Sequence, residues 1–337
     1  MVGSGYMGRT HAEAIKCLDA AAALAAVCGG ARAPDLAKRY GVDCEPTVEG
    51  LVRRSDIDAV VITSPHHWHA GQAMLALDAG KHVMVETPMA TRVADCDRMI
   101  EAAARRHLVI GVGYITRFRE APRRARELVA NHAIGHLRTM MISILVYSAT
   151  LGRDRVAWRF HPANVGNLID CLPHALDWIR WTTGAEAAVV AGLSRTLLTD
   201  RPGVEDTTVG LMELNDGCLC SVNISAALPM PYPGEFTRMR MIGSTGILDF
   251  DHFGELRVSD EKGWRLVCTQ PTIHYAHPEE AFRGARMTSF IEQMQSFIDG
   301  IHGKPMETGS GIDGRAGIAA SLAMIEASQQ RRVIDLA

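Results

Sequence analysis

Asp170 and His174 lie four residues apart, so on a helix they share one face. An imidazole with a pKa of about 6.5 can take a proton from a hydroxyl that is losing a hydride, and a carboxylate beside it can orient it or hold the substrate. The spacing alone favours a helix-capping pair or a core histidine satisfied by hydrogen bonds. At the other end of the chain, Gly3-Ser4-Gly5-Tyr6-Met7-Gly8 is a G-x-G-x-x-G run that opens a helix-like segment, Arg9–Leu18. In such a run the first glycine makes a tight strand-to-helix turn and the second admits a pyrophosphate. The third lets helix and sheet pack closely, and the anion sits on the free N–H groups of the helix start. In a chain with 31 glycines the pattern is equally compatible with a turn that binds nothing.

The elements that must position these groups are readable from periodicity. Ala22–Cys28, Asp58–Ser64, His82–Glu86 and Leu108–Val112 read as strands. Between them, Ala33–Tyr40, His69–Ala79 and Ala94–Arg106 read as helices, with Gly80 as a C-cap. Strands alternating with helices imply an α/β domain with a parallel sheet. Only Met1 and Val2 precede the glycine run, so the first strand is truncated, or the true start lies upstream and a leader precedes it. After Tyr114 the pattern changes. Pro122–Asn131 and Asn167–Thr183 read as helices, and Arg138–Tyr147 as a long strand. Ala187–Leu197, Asp206–Leu214, Cys218–Ala227, Arg238–Ile242, Ile247–Asp251, Leu256–Val258 and Arg265–Cys268 form a mainly antiparallel series, with a turn at Asn215-Asp216-Gly217. Pro278–Gly300 and Gly311–Gln330 read as two closing helices. Pro173 belongs in a first helical turn, which places His174 near a helix start. The expected domains are 1–116 and 117–337.

Composition narrows the class. The 337 residues are 47% hydrophobic and 22% charged, as in ordinary globular proteins. A net charge of −3 without a basic block argues against nucleic acid. No apolar run reaches the ~18 residues of a membrane span. The eight cysteines form no C-x-x-C pair and read as reduced thiols, which favours the cytoplasm. Cys218 and Cys220 alternate on one strand and read as packing. His66, His67 and His69 do not share one helix face, and no acid or cysteine follows at ligand spacing, so no metal site is expected.

A set of motifs runs the length of the chain. Thr63-Ser64-Pro65-His66-His67-Trp68-His69-Ala70 follows a strand, and Glu86-Thr87-Pro88 ends another. Then come Gly113-Tyr114-Ile115-Thr116-Arg117-Phe118, Gly135-His136-Leu137-Arg138, Trp158-Arg159 and Asp170-x-x-x-His174-x-x-Asp177. Their order and spacing resemble the glucose–fructose oxidoreductase/inositol dehydrogenase (Gfo/Idh/MocA) family. The resemblance implies a Rossmann domain followed by an α/β domain with a large open sheet. It implies a nicotinamide dinucleotide and hydride transfer on a sugar, polyol, cyclic diol or related substrate. By the same resemblance His174 is the catalytic acid–base residue, Asp170 its neighbour in the reaction, and Thr87 a third catalytic position. Gly3, Gly5, Tyr6, Met7, Gly8, Arg32, Ser64, Pro65, His69, Glu86 and Thr87 are expected at the cofactor, although for His69 capping or packing of the helix start is the favoured role. Tyr114, Arg117, Trp158, Arg159 and His161 are expected at the substrate, near a domain junction. For Trp158 plain packing, and for the two arginines ion pairing, are the competing roles.

Two departures stand out. Family members carry Glu-Lys-Pro where this chain has Glu86-Thr87-Pro88; none of the five lysines is placed to substitute, since Lys81 starts the strand that Thr87 follows. Members preferring NAD place an acid at the end of the second strand, whereas this chain reads Cys28-Gly29-Gly30-Ala31-Arg32. Gly29 removes the repulsion of a 2′-phosphate and Arg32 can clamp one, so NADP is slightly favoured over NAD. Asp35 lies too far into the next helix to replace the acid. A lyase or glycosidase-like enzyme that oxidises its substrate transiently with tightly bound NAD(P), and a non-catalytic cofactor-binding protein, are the alternatives. A homodimer or homotetramer built on the C-terminal sheet is expected. Met212 and Leu214 are expected on its outer face, too apolar for open solvent.

Overall fold

A computed structural model describes residues 1–18, 21–146, 161–164, 166–197, 204–226, 236–270 and 282–336. In chain order the elements begin with α1 (Tyr6–Lys16), β1 (Ala26–Cys28), α2 (Ala33–Tyr40), β2 (Asp43–Glu45), α3 (Val48–Arg53) and β3 (Ala59–Ile62). They continue with α4 (His66–Asp78), β4 (His82–Val85), α5 (Val93–Arg105), β5 (Ile110–Val112), α6 (Glu120–Ala130), β6 (Leu137–Leu145) and α7 (Leu168–Thr183). Seven strands follow: β7 (Ala187–Arg195), β8 (Thr207–Leu214), β9 (Leu219–Ser225), β10 (Phe236–Gly243), β11 (Ile247–Asp251), β12 (Glu255–Asp260) and β13 (Gly263–Thr269). The chain closes with α8 (Gly284–Ile301), β14 (Gly309–Ser310), α9 (Gly311–Gln330) and β15 (Ile334–Asp335). No described helix is long and apolar enough to cross a membrane.

Two compact units result. The first gathers Met1–Ile115 with Pro278–Arg315, and the second Thr116–His277 with Ala316–Ala337. The expected two-part division at 116 therefore needs amending for 278–315, which groups with the first unit. The reason is packing: Met294 and Phe297 of α8 share a core with Val27 and Met84. A Cβ on Gly111 would stand 2.8 Å from the Phe297 ring, so β5 receives that ring only because residue 111 has no side chain.

The sheet of the first unit is parallel except at its β14 edge. Its first strand is reduced to a single bridging residue. Val2 pairs with Cys28 on one side and Ile62 on the other. Four backbone hydrogen bonds of 2.8 Å hold it, Cys28 N–H to Met1 O, Gly3 N–H to Cys28 O, Val2 N–H to Val61 O and Thr63 N–H to Val2 O. The order β2-β1-Val2-β3-β4-β5-β14 is that of a dinucleotide-binding Rossmann sheet.

The second unit is built on nine strands in the order β13-β12-β11-β10-β6-β9-β8-β7-β15, antiparallel except for the β6–β9 pair. One face packs on α6, α7 and α9. Gly192 and Gly210 are register partners on that face and leave a dent for Met324 of α9; a Cβ on Gly210 would meet its sulfur at 2.5 Å. Met212 and Leu214 alternate with Gly210 and are buried on the same face, not on the outer one where the sequence reading put them. The outer face carries Leu193, Val209, Leu211, Leu219 and Met141, each at least half exposed. Toward β11 the same face turns ionic, with Arg238 and Arg240 on either side of Asp249.

His252 lies inside this unit, 2% exposed. Its ring stacks on Phe250 at 5.3 Å and 14°, with Nε2 3.3 Å from the Met239 sulfur. Burial, then the charges of His174 and Arg119, push its pKa from 6.5 down to about 3. Between those values the unfolded chain binds a proton that the folded one excludes. The stability is therefore intact above pH 6.5 and is lost as pH falls toward 3. His252→Phe keeps the stack and removes the titration. Its acid-unfolding midpoint, followed by circular dichroism, is expected to move to lower pH; an unchanged midpoint would assign the acid sensitivity to another group.

Candidate active site

In the first unit every candidate lies just past the carboxyl end of a strand, where ligands bind in open α/β sheets. Gly3 follows Val2 with φ +106°, and a Cβ there would stand 2.5 Å from Thr63 Oγ1. A Cβ on Gly8 would stand 2.4 Å from Gly3 O, so α1 rests directly on the turn. Gly5 differs. The one atom near its missing Cβ is Arg32 Nη2 at 3.7 Å, so its Cα faces open space beneath a guanidinium. Gly5 is also the N-cap of α1, with no side-chain cap and no acid in the first turn. A helix start with uncapped N–H groups, a positive dipole end and a nearby arginine fits a dinucleotide pyrophosphate. Gly3, Gly5, Gly8 and Arg32 are brought together at this helix start. Tyr6 and Met7 open α1, where the Tyr6 ring lies 5.5 Å from Phe282 and under the Arg286 guanidinium.

The loops after β3 and β4 are tied from inside. His69 is completely buried, with Nδ1 2.8 Å from Pro88 O and Nε2 2.7 Å from Ser64 O. Burial lowers its pKa, and a neutral imidazole donates to one carbonyl at a time. His69 is thus an internal brace, correcting the expectation that it contacts the cofactor. Ser64 Oγ bonds Gln72 Oε1 at 2.6 Å, and Pro65 is the N-cap of α4. Glu86 Oε1 lies 2.6 Å from Nε2 of the buried His11, and Oε2 accepts from Thr87 N–H at 3.3 Å. Glu86 is thereby engaged by the protein itself. Thr87 is buried, and Lys81 is held at the start of β4 by its bond to Arg54 O at 3.0 Å.

In the second unit α7 is apolar on nearly all sides and closes on Gly184, a left-handed C-cap at φ +72°. From Leu168 to Ile179 every residue is buried except Asp170 and His174. Pro173 is the sixth helical residue, not one of the first turn, so His174 sits about two turns inside the helix. Dipole effects fade within one turn, so they do not bear on its charge. Glu205 caps the helix: its carboxylate accepts from Leu168 N–H at 2.6 Å and Asn167 N–H at 3.1 Å. Burial pushes the Glu205 carboxyl up to about 7, against the pull of those two N–H groups. Glu205 and His11 had no signal in local spacing; their partners lie 37 and 75 residues away.

The expected substrate residues fare unevenly. Arg117 is buried and bidentate on Asp177, Nε to Oδ2 at 2.9 Å and Nη2 to Oδ1 at 2.5 Å. A buried guanidinium needs such a partner, so Arg117 is structural rather than a substrate ligand. Tyr114 is 0% exposed. His161 is exposed and accepts from Ala163 N–H at 3.2 Å. Trp158 and Arg159 lie outside the described residues. Among the described residues no group of three or more His, Cys, Asp or Glu is arranged to hold a metal.

Known proteins share this architecture. The oxidoreductase-family model with an NAD-binding Rossmann fold (GFO/IDH/MocA) matches residues 1–114, and the GFO/IDH/MocA C-terminal domain matches 123–249. Inositol 2-dehydrogenase 3 of Saccharopolyspora erythraea is 26% identical over 342 residues, covering 100% of this chain and 94% of that protein. The 1,5-anhydro-D-fructose reductase of Ensifer adhaerens is 26% identical over 295 residues, 86% of this chain and 83% of the other. The crystal structure of an oxidoreductase domain protein from Kribbella flavida aligns with a TM-score of 0.86 and 26% identity, over 100% of this chain and 98% of that one. The chain belongs to the Gfo/Idh/MocA family of NAD(P)-binding oxidoreductases.

Proposed function

We propose that this oxidoreductase transfers a hydride between NAD(P) and a hydroxyl or carbonyl carbon of a sugar, polyol, cyclic diol or related substrate, with His174 as the acid–base group. One observation carries the reading: Asp170 and His174 alone emerge from the otherwise buried first three turns of α7. When bound, the nicotinamide accepts or returns the hydride. His174 takes the hydroxyl proton in one direction and gives it back in the other, and Asp170 orients it or receives a neighbouring hydroxyl. Thr87, by the family resemblance, stands where a lysine is usual and offers a neutral hydroxyl instead. The relatives' names, an inositol dehydrogenase and an anhydrofructose reductase, support a substrate of sugar or polyol type.

Arg32 stands over Gly5 at the end of β1, and the Cys28–Arg32 stretch holds no acid, which supports NADP(H) over NAD(H). The outer face of β6, β9, β8 and β7 supports a homodimer or homotetramer. Leu193 lies opposite Val209, with Leu211, Leu219 and Met141 on neighbouring positions, an apolar surface suited to a second copy.

His174→Ala is expected to lower kcat by ~100-fold or more, read at 340 nm, while cofactor affinity by fluorescence titration stays close to wild type. Activity within a few-fold of wild type would remove His174 from the chemistry. Arg32→Ala is expected to weaken NADP(H) binding by roughly tenfold and leave NAD(H) nearly unchanged. Equal losses for both would show that Arg32 does not read the 2′-phosphate. Light scattering at micromolar concentration is expected to give a dimer or tetramer mass; a monomer would refute the role given to the outer sheet face.

A further inference from the structure

Asparagine at the start of a helix ordinarily caps it, with extended backbone and its side-chain oxygen on an N–H of the first turn. Asn167 does neither. Its backbone is helical, at φ −84° and ψ −29°, and it makes no side-chain cap bond. Glu205 does the capping instead. Asn167 Oδ1 accepts from Cys171 Sγ at 3.6 Å. Its Nδ2 is buried without a hydrogen-bond partner, in a residue 6% exposed. A buried donor left open destabilises a fold, and in native proteins it points to a ligand or an ordered water.

The position of this donor says what it could meet. Residues 167, 170 and 174 fall at i, i+3 and i+7, so they line one face of α7. Asn167 continues the stripe of Asp170 and His174 toward the helix start. Seven residues at 1.5 Å each place it about 10 Å along the axis from His174. One sugar ring reacting at His174 does not span that length, but a group attached to the ring does. Asp170 lies between, and a carboxylate brought by the substrate would meet its like charge. An ether, hydroxyl or amide oxygen would not.

We propose that Asn167 is a specificity-determining residue whose Nδ2 donates to a neutral oxygen on a group beyond the reacting ring, so that the substrate is a glycoside rather than a free monosaccharide. This rests on His174 being the acid–base group.

Asn167→Leu keeps the shape and removes both N–H groups. Wild type and variant are compared on cellobiose, methyl β-D-glucopyranoside, glucose and glucuronate, by NAD⁺ and NADP⁺ reduction at 340 nm and by melting temperature with and without each compound. The ligand-free variant is expected to melt at or above wild type, because an unmatched donor is gone. KM for cellobiose is expected to rise ~10-fold with kcat nearly unchanged, the effect of one lost hydrogen bond. A melting temperature several degrees lower would show the amide to be held within the fold and would overturn the proposal. So would an unchanged KM for cellobiose, or an equal rise for glucose. Wild type that neither turns over nor is thermally shifted by cellobiose or the methyl glucoside overturns the substrate class. The reading beneath fails separately: His174→Ala at wild-type rate sinks the acid–base assignment and leaves the melting result for Asn167 untouched.

Discussion

A helix buried along most of its length must find partners for nearly all its polar groups, and α7 sets the terms for the second unit. Glu205 takes the N–H groups of Asn167 and Leu168, Arg117 takes Asp177, and Pro122 O takes the Trp178 indole N–H at 3.1 Å. Removing one member of a buried ion pair typically costs ~3–5 kcal/mol, so Arg117 and Asp177 bind the segment before α6 firmly to α7. Along its first three turns what reaches the surface is an acid and an imidazole one turn apart. Helix rigidity then fixes their spacing better than a loop could.

The first unit meets a related problem with different parts. The ends of its parallel strands must present loops to a ligand without letting them wander. His69 ties the loop after β3 to the one after β4, and His11 holds Glu86 at the threshold of Thr87. His69 and Glu86, both expected at the cofactor from their sequence positions, are engaged by the protein itself at this edge. The turn into α1 is mostly backbone, and at Gly3 and Gly8 it closes only because no side chain is present.

Segments with an apolar run or a helical period were legible from the sequence, and short segments without either were not. Ala33–Tyr40 and Ile247–Asp251 have the same bounds in both readings, and α7 and α9 agree to within one residue. β2, α3, β14 and β15 were missed because two to six residues carry too little period to register. Alternation along β8 shows that it has two faces but not which one is inside. That is decided by Met324 entering the dent at Gly192 and Gly210, on an element more than a hundred residues away. The roles of Arg117 and Glu205 were hidden for the same reason, since their partners are distant in sequence. His174 and the glycine run showed themselves because their chemistry is local: a helical spacing of four, and a turn written within six residues.

The outer face of the large sheet is lopsided. Its apolar side chains sit on β6, β9, β8 and β7, while Arg238 and Arg240 flank Asp249 on β10 and β11. Asp251 pairs in register with Arg238, and Glu255 also acts on that arginine, so charges of both signs alternate at that end. Taking water from the apolar end releases free energy, whereas taking it from the ionic end strips charged groups that are already matched to one another. The two ends of one sheet face therefore respond oppositely to dehydration, and the ionic end is the one that stays wet.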